Sequence, residues 1–312
     1  MTSRQAVILA GALAAVILIL LIPVWRGVAW SDEVVEDDSQ QPATKVAVEA
    51  TPEDNEDTAS GGAVRAVVRV SSGSSIDEFI DRTGKTLADR VALPEGYEQD
   101  AQEEELAQYL RDYSVYKKTK IKYYTGRTKS VSGEAVAVLK LPMEEVNLQQ
   151  QTASVQRMYG EYFWSKGEYD RIKFTVSGTQ VQFAKEGQEA GTYEDFVKFL
   201  QQKVYPASGY RSLLKDCKSV KLSKIKPGDV WIQNGSVVMV VDVCVNAKGK
   251  KAFLLAQGGS PAQQFHVILN PLHPEDPWYY QKEIQTSMKT PTAVFSLSLI
   301  HISEPTRHAQ IS

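Results

Sequence analysis

An α+β fold is predicted by three observations. Amphipathic helical segments come first in the body of the chain, apolar strand-like runs come last, and turn residues separate those runs closely enough for an antiparallel meander. No internal repeat is visible. The first element is Ala6 to Val24, 19 residues without a charge, long enough to cross about 30 Å of hydrocarbon. Arg4 precedes it and acids follow it. The run is longer than a secretory signal's usual apolar stretch and leads into Val24-Trp25-Arg26 with no convincing cleavage site, and no lipobox cysteine is present. Residues 1–30 are therefore expected to be an uncleaved signal anchor with the body outside the cytoplasmic membrane. Residues 31–75 lack apolar periodicity and are expected to be a disordered acidic linker.

The globular domain is expected over 76–295. Ser75-x-x-Glu78 reads as a capping box. Ala101 to Tyr113 carries Leu106, Tyr109, Leu110 and Tyr113 at helical spacing. Lys120–Tyr124 and Ala135–Leu141 are predicted strands joined across TGRTKSVSGE. Leu148 to Trp164 is a predicted helix, and 171–176 with 179–183 a hairpin about Ser177-Gly178. Thr192-x-x-Asp195 caps a helix with Phe196, Phe199, Leu200 and Val204 on its apolar face. After the Lys226-Pro227-Gly228 turn come strands over 229–233, 236–244, 251–257 and 264–269. The tail, 296–312, resembles a translated sequencing adapter and is set aside, so His301 and His308 carry no weight.

Composition bounds the function loosely. The 312 residues are 43% hydrophobic and 23% charged, with net charge −3. Ten acids and one base lie between Ser31 and Ala63, leaving 28 acids and 34 bases elsewhere. That mildly basic remainder shows no stripe of bases interleaved with aromatics, so nucleic acid is not indicated; an anionic wall polymer or membrane surface is compatible. Cys217 and Cys244 have no zinc spacing and form no Cys-x-x-Cys. They either pair in an oxidising compartment or are small buried side chains, the commoner case. His266 and His273 have no acid at ligand spacing, so no metal or cofactor is expected.

One ordering of elements carries chemistry. A helix start, a Pro-Gly-Asp turn into a strand, a long apolar strand and a further strand ending in a polar residue form a frame for a thiolate, an imidazole and an orienting group. This order resembles the papain-like cysteine hydrolases of the bacterial wall, with KPGDVWIQNGSVVMVVDV as the segment leading to the base-bearing strand. The stretches TLADRVALPEGYEQDAQEEELAQYLRDY, EYFWSKGEYDRIKF, KPGDVWIQ, VVDV, LLAQ and SPAQQFHVILNP also resemble the uncharacterised bacterial domain-of-unknown-function family numbered 4846, over about Thr86 to Phe295. That resemblance implies a Cys at the start of the EYFW helix and a Gly-His at the VVDV strand. Here those positions fall on Gln151 and on Gly235-Ser236. An amide is no thiolate, and a serine hydroxyl does not accept protons near neutral pH.

Each candidate has an ordinary alternative. Gln151 either contacts a ligand or is a satisfied helix-start residue, and Ser236 is a relic of the base position or a turn residue. Gln257 ends an apolar strand, either as the orienting group or bonded to its neighbour strand. Asp242, inside an apolar strand, lies in the cleft or pairs with Lys or Arg, and Asp229 fixes its turn. His266 is a site residue or a structural histidine; with Cys217 it is the sharpest dyad for an active enzyme. Trp231, Trp278, Tyr279 and Tyr280 form a stacking surface or pack the core. The expected function is a non-catalytic envelope module binding wall peptide, glycan or a protein partner in an inherited cleft. The alternatives are an active cysteine hydrolase of cell-wall material and a purely structural tethered body.

Overall fold

The computed structural model describes residues 76–100, 105–130 and 135–297; the predicted anchor, the linker and residues 298–312 lie outside these. Among the described residues no helix is long and apolar enough to cross a membrane. In chain order the helices are α1 (Leu87–Arg90), α2 (Glu105–Arg111), α3 (Gln151–Ser165), α4 (Tyr193–Phe199), extended by a π-helical turn at Leu200–Val204, and α5 (Tyr210–Lys215). The strands are β1 (Tyr97–Gln99), β2 (Ala135–Val138), β3 (Lys173–Val176), β4 (Thr179–Gln182), β5 (Val230–Gln233), β6 (Ser236–Asn246), β7 (Lys251–Gln257), β8 (His266–Ile268), β9 (Tyr279–Tyr280), β10 (Ser287–Lys289) and β11 (Val294–Ser296). The fold is α+β, as predicted.

A seven-stranded antiparallel sheet runs β1-β6-β7-β8-β2, with β5 also on β6 and β9 on β7. Strand β6 organises it. Val237 to Cys244 are buried without interruption, because the sheet is covered on both faces. Val237, Met239 and Val241 pack with Val155, Met158 and Tyr159 of α3. Val238, Val240 and Val243 pack on the far side with Trp231, Phe253 and Phe295, the last from the β10–β11 ribbon. Helix α3 is itself buried almost all round, from Ala153 to Gly160.

Local signals explain several boundaries. Thr192 and Asp195 form the predicted capping box, and Thr86 with Asp89 forms another at α1. Hydrogen bonds from the threonines hold both aspartate carboxyls below their ordinary pKa. The β3–β4 hairpin turns at Ser177 and Gly178, both at positive φ. The β5–β6 hairpin turns at Asn234 (φ 51°) and Gly235 (φ 90°), as a type I′ turn requires.

Four expectations are corrected. The short helix through Ile80 that the Ser75-x-x-Glu78 box was expected to open is a 3-10 turn at Ile76–Glu78, and Ser75 lies outside the described residues. Within the expected Ala101–Tyr113 helix, residues 101–104 lie outside the described residues and Glu105–Arg111 is helical. The α3 helix starts at Gln151 rather than Leu148, since Leu148 and Gln150 form local turn bonds instead. Lys120–Tyr124 is not a strand paired with Ala135–Leu141. It folds back on Arg127–Lys129 and meets residues 262–264, contacts that local periodicity does not encode. Ser296 and Leu297, which the sequence reading placed in the tail, belong to this packing. The Ser296 amide donates to Gln233 Oε1 at 2.6 Å, and Leu297 sits against the Trp231 cluster.

Gly258 follows β7 where the chain meets α3. A Cβ there lies 2.3 Å from Ser154 Oγ and 2.9 Å from Ser154 Cβ, closer than van der Waals contact permits. Gly258→Ala is expected to cost about 1–3 kcal/mol; a urea-unfolding midpoint equal to that of the unmodified chain would contradict the close approach. Asp89 and Asp195 titrate below the ordinary carboxyl, so the stabilisation they provide above the unfolded pKa is lost as pH falls through the folded one. Asp195→Asn is therefore expected to flatten the acid limb of a stability–pH curve.

Candidate functional site

The start of α3 abuts the β5–β6 turn. Gln150 at the N-cap makes no side-chain cap, so the first-turn N–H groups have no such partner. Gln151 Oε1 accepts from the Val237 amide at 3.2 Å, which ties the helix start to the first residues of β6. Gln151 and Ser236 line a cavity of about 570 Å³ with residues from 147–153, from 205–210, Asn234, Gly235 and Ser260. Its described lining contains amides, hydroxyls, small residues and two tyrosines, but no Cys, His, Asp, Glu, Lys or Arg.

Strand alternation decides what faces the helix. Val237, 1% exposed, packs on the α3 side, while Val238 packs on the other. Ser236 reaches the cavity only from the rim, at the first position of the strand. On β7 the α3 side holds Ala252, Leu254 and Ala256. Gln257 therefore points the other way; its Oε1 accepts from Thr292 Oγ1 at 2.9 Å, and its register partner is His266. The expected meeting of Gln151, Ser236 and Gln257 is corrected: two share the cavity and Gln257 lies across the sheet. The side chains that face α3 beside Ser236 and Gln257 are Val237 and Ala256.

The other candidates are also placed. His266 is fully buried, with Nδ1 2.9 Å from the Gln264 carbonyl, on the face opposite α3. Cys217 packs against the α3-side core, whereas His266 alternates with the α3-side Val267, so the two lie on different faces of the sheet. Cys244 is buried, and burial pushes its thiol pKa far up. Both cysteines are free thiols, not a pair. Trp231 is core, stacked with Phe253 at 6.0 Å. Asp242 does not line the cavity. It accepts from Gln99 Nε2 (3.0 Å) and lies 3.8 Å from Arg111 Nε, the cation pairing expected of a buried carboxylate. Asp229 Oδ2 accepts from the Lys226 amide and holds its turn. His273 lies between Glu283 (2.9 Å) and Glu275 (3.9 Å). Among the described residues no group of three His, Cys, Asp or Glu is arranged to hold a metal.

Sequence reasoning missed the support behind the cavity. Arg157 is fully buried, bonded to Glu144 (3.0 Å), Glu161 (2.6 Å) and the Tyr193 hydroxyl (3.0 Å). Burial disfavours its charge, but Tyr205, Glu144, Glu161 and Tyr193 together raise its pKa above the ordinary value. Burial raises the pKa of the cavity-lining Tyr205 phenol, keeping it neutral, with its hydroxyl 3.5 Å from Gln149 Oε1. The only sequence signal was the i,i+4 spacing of Arg157 and Glu161 within a helix. A second tie joins the Tyr159 hydroxyl, as donor, to the Gly228 carbonyl in the Pro-Gly-Asp turn.

Arg157→Ala leaves two carboxylates without their cation and is expected to destabilise the domain by about 3–5 kcal/mol; a shift in unfolding free energy under 1 kcal/mol would show the pair to be solvated. A thiol reagent is expected to modify Cys244 only after unfolding, so rapid native labelling of both cysteines would contradict the burial.

Comparison with curated proteins gives no match, and comparison with solved structures gives none either. A family model described as Domain of unknown function (4846) matches residues 87–178 and 174–301, more than half of the chain and nearly all of the described fold. On that match the chain belongs to the domain of unknown function 4846 family.

Proposed function

We propose that the domain is a non-catalytic binding module of the bacterial envelope with a papain-like arrangement, in which the α3 start and the β5–β6 turn form the ligand cleft. The apolar run at 6–24 anchors it in the cytoplasmic membrane, and the domain works outside. One observation carries the reading. At the helix start where such an arrangement places a thiolate, the side chain is Gln151, already bonded to β6, and the facing strand positions are Val237 and Ala256. Among the described lining residues there is no thiol, and no imidazole or carboxylate to activate the serine and threonine hydroxyls. What the lining does supply is hydrogen-bond donors and acceptors beside an uncapped helix start, a setting for the amides and hydroxyls of a wall peptide or glycan.

The test is binding and turnover together. The full chain in detergent is expected to co-sediment with purified wall sacculi and to leave soluble wall fragments intact. Gln151→Ala removes one contact and is expected to weaken binding about fivefold, one hydrogen bond's worth. Turnover abolished by Cys217→Ala or Cys244→Ala would replace this reading with the hydrolase. Absence of sedimentation in every form would leave only a structural body.

A further inference from the structure

Between Asp112 and Glu134 the chain has six bases and no acid: Lys117, Lys118, Lys120, Lys122, Arg127 and Lys129. Tyr116, Tyr123 and Tyr124 are interleaved with them, which corrects the expectation that no run of bases and aromatics is present. The segment has a defined backbone. Ile121 is buried and its carbonyl accepts from the Lys129 amide at 2.8 Å, while the Tyr123 amide donates to the Arg127 carbonyl at 2.9 Å. Gly126, at φ 78°, makes the turn between them.

A second set of bonds fastens this hairpin beside the cavity. The Tyr124 amide donates to the Ala262 carbonyl, and Lys122 exchanges bonds with Gln264 through its carbonyl and its amide, all at 2.9 Å. The Ala262 amide donates in turn to Asn147 Oδ1 at 2.8 Å, and Asn147 and Ser260 both line the cavity. Lys117, Lys118, Lys120, Lys122 and Arg127 are exposed. None of these five is paired with a carboxylate among the described residues. Tyr116 is exposed, with Lys140 over its ring at 6.0 Å. Surface cations are usually interspersed with acids. Here five of one sign lie within the eleven residues from Lys117 to Arg127, Lys122 and Arg127 on the bonded turn, which repels internally and favours an arriving polyanion.

We propose that the ligand strand is acidic: a neutral stretch fills the cavity at the α3 start, and its carboxylates lie along the Tyr116–Lys129 hairpin. This rests on the cavity being the binding site. Exposed charge contacts are worth about 1.5- to fivefold each and are screened beyond roughly 8 Å at physiological salt, so their sum depends on ionic strength.

The experiment uses the full chain in detergent with three probes: native sacculi, sacculi whose carboxyls have been converted to neutral amides, and phosphatidylglycerol vesicles. Binding to native sacculi is expected to fall at least about tenfold between 0.05 and 0.3 M salt. The five-site variant K117Q/K118Q/K120Q/K122Q/R127Q is expected to lose at least about tenfold at low salt, and amidated sacculi should bind the unmodified chain as weakly as native sacculi bind that variant. The sacculus comparison needs no variant, so misfolding of the five-site form does not spare the proposal. Equal, salt-insensitive binding to native and amidated sacculi would overturn the acidic strand while leaving the wall-binding reading intact. Binding to vesicles and to neither form of sacculus would overturn both.

Discussion

An eleven-residue strand with apolar side chains on both faces needs a layer on each side, and β6 imposes that requirement on the rest of the domain. Helix α3 is the layer on one side, and Trp231, Phe253 and the β10–β11 ribbon form the other. Helix α3 must lie flat against β6 to cover Val237, Met239 and Val241, so its first turn ends at the β5–β6 turn. Gly258 permits that approach, and Tyr159 fastens the Pro-Gly-Asp turn from the helix side. The cavity is a consequence of this layering: a helix start, a tight turn and the 205–210 segment leave a gap that no core side chain fills.

The chemistry of the gap follows from which residues the layering presents. A thiolate beside a helix start and an imidazole on the facing strand would form a nucleophile and its base. Here the helix start carries an amide already accepting from the strand, the strand residue packed toward the helix is Val237, and Ser236 lies at the rim. Ionisable groups are present nearby, but they serve packing. Arg157 is enclosed by Glu144, Glu161 and Tyr193, and Asp242 is held by Gln99 and Arg111. A run of exposed bases without acids lies on the Tyr116–Lys129 segment, whose turn is fastened to the cavity rim through Ala262 and Asn147.

Much of the local structure was legible because its determinants are close in sequence. The Thr192–Asp195 box, the Ser177-Gly178 and Asn234-Gly235 turns and the apolar run of β6 each carry their own geometry. The nearness of Gln151 to Ser236 followed from element order and family resemblance, although the helix was expected to start three residues earlier, at Leu148. What was not legible depended on faces and distant partners. Gln257 and Ser236 both lie on strands beside the site, but alternation turns Gln257 toward Thr292 and leaves Ser236 at the rim. The partners of Asp242 come from residues about 140 and 130 positions earlier, and no periodicity announces them. The basic hairpin was hidden because its anchor, residues 262–264, lies far along the chain.

Hydrogen–deuterium exchange of the full chain with soluble wall fragments, followed by mass analysis of those fragments, tests the central claim most directly. The account predicts slowed exchange concentrated in 147–153 and 233–237, with every fragment recovered at its original mass. Slowed exchange elsewhere with these two segments unchanged, or fragments returned cleaved, would contradict it.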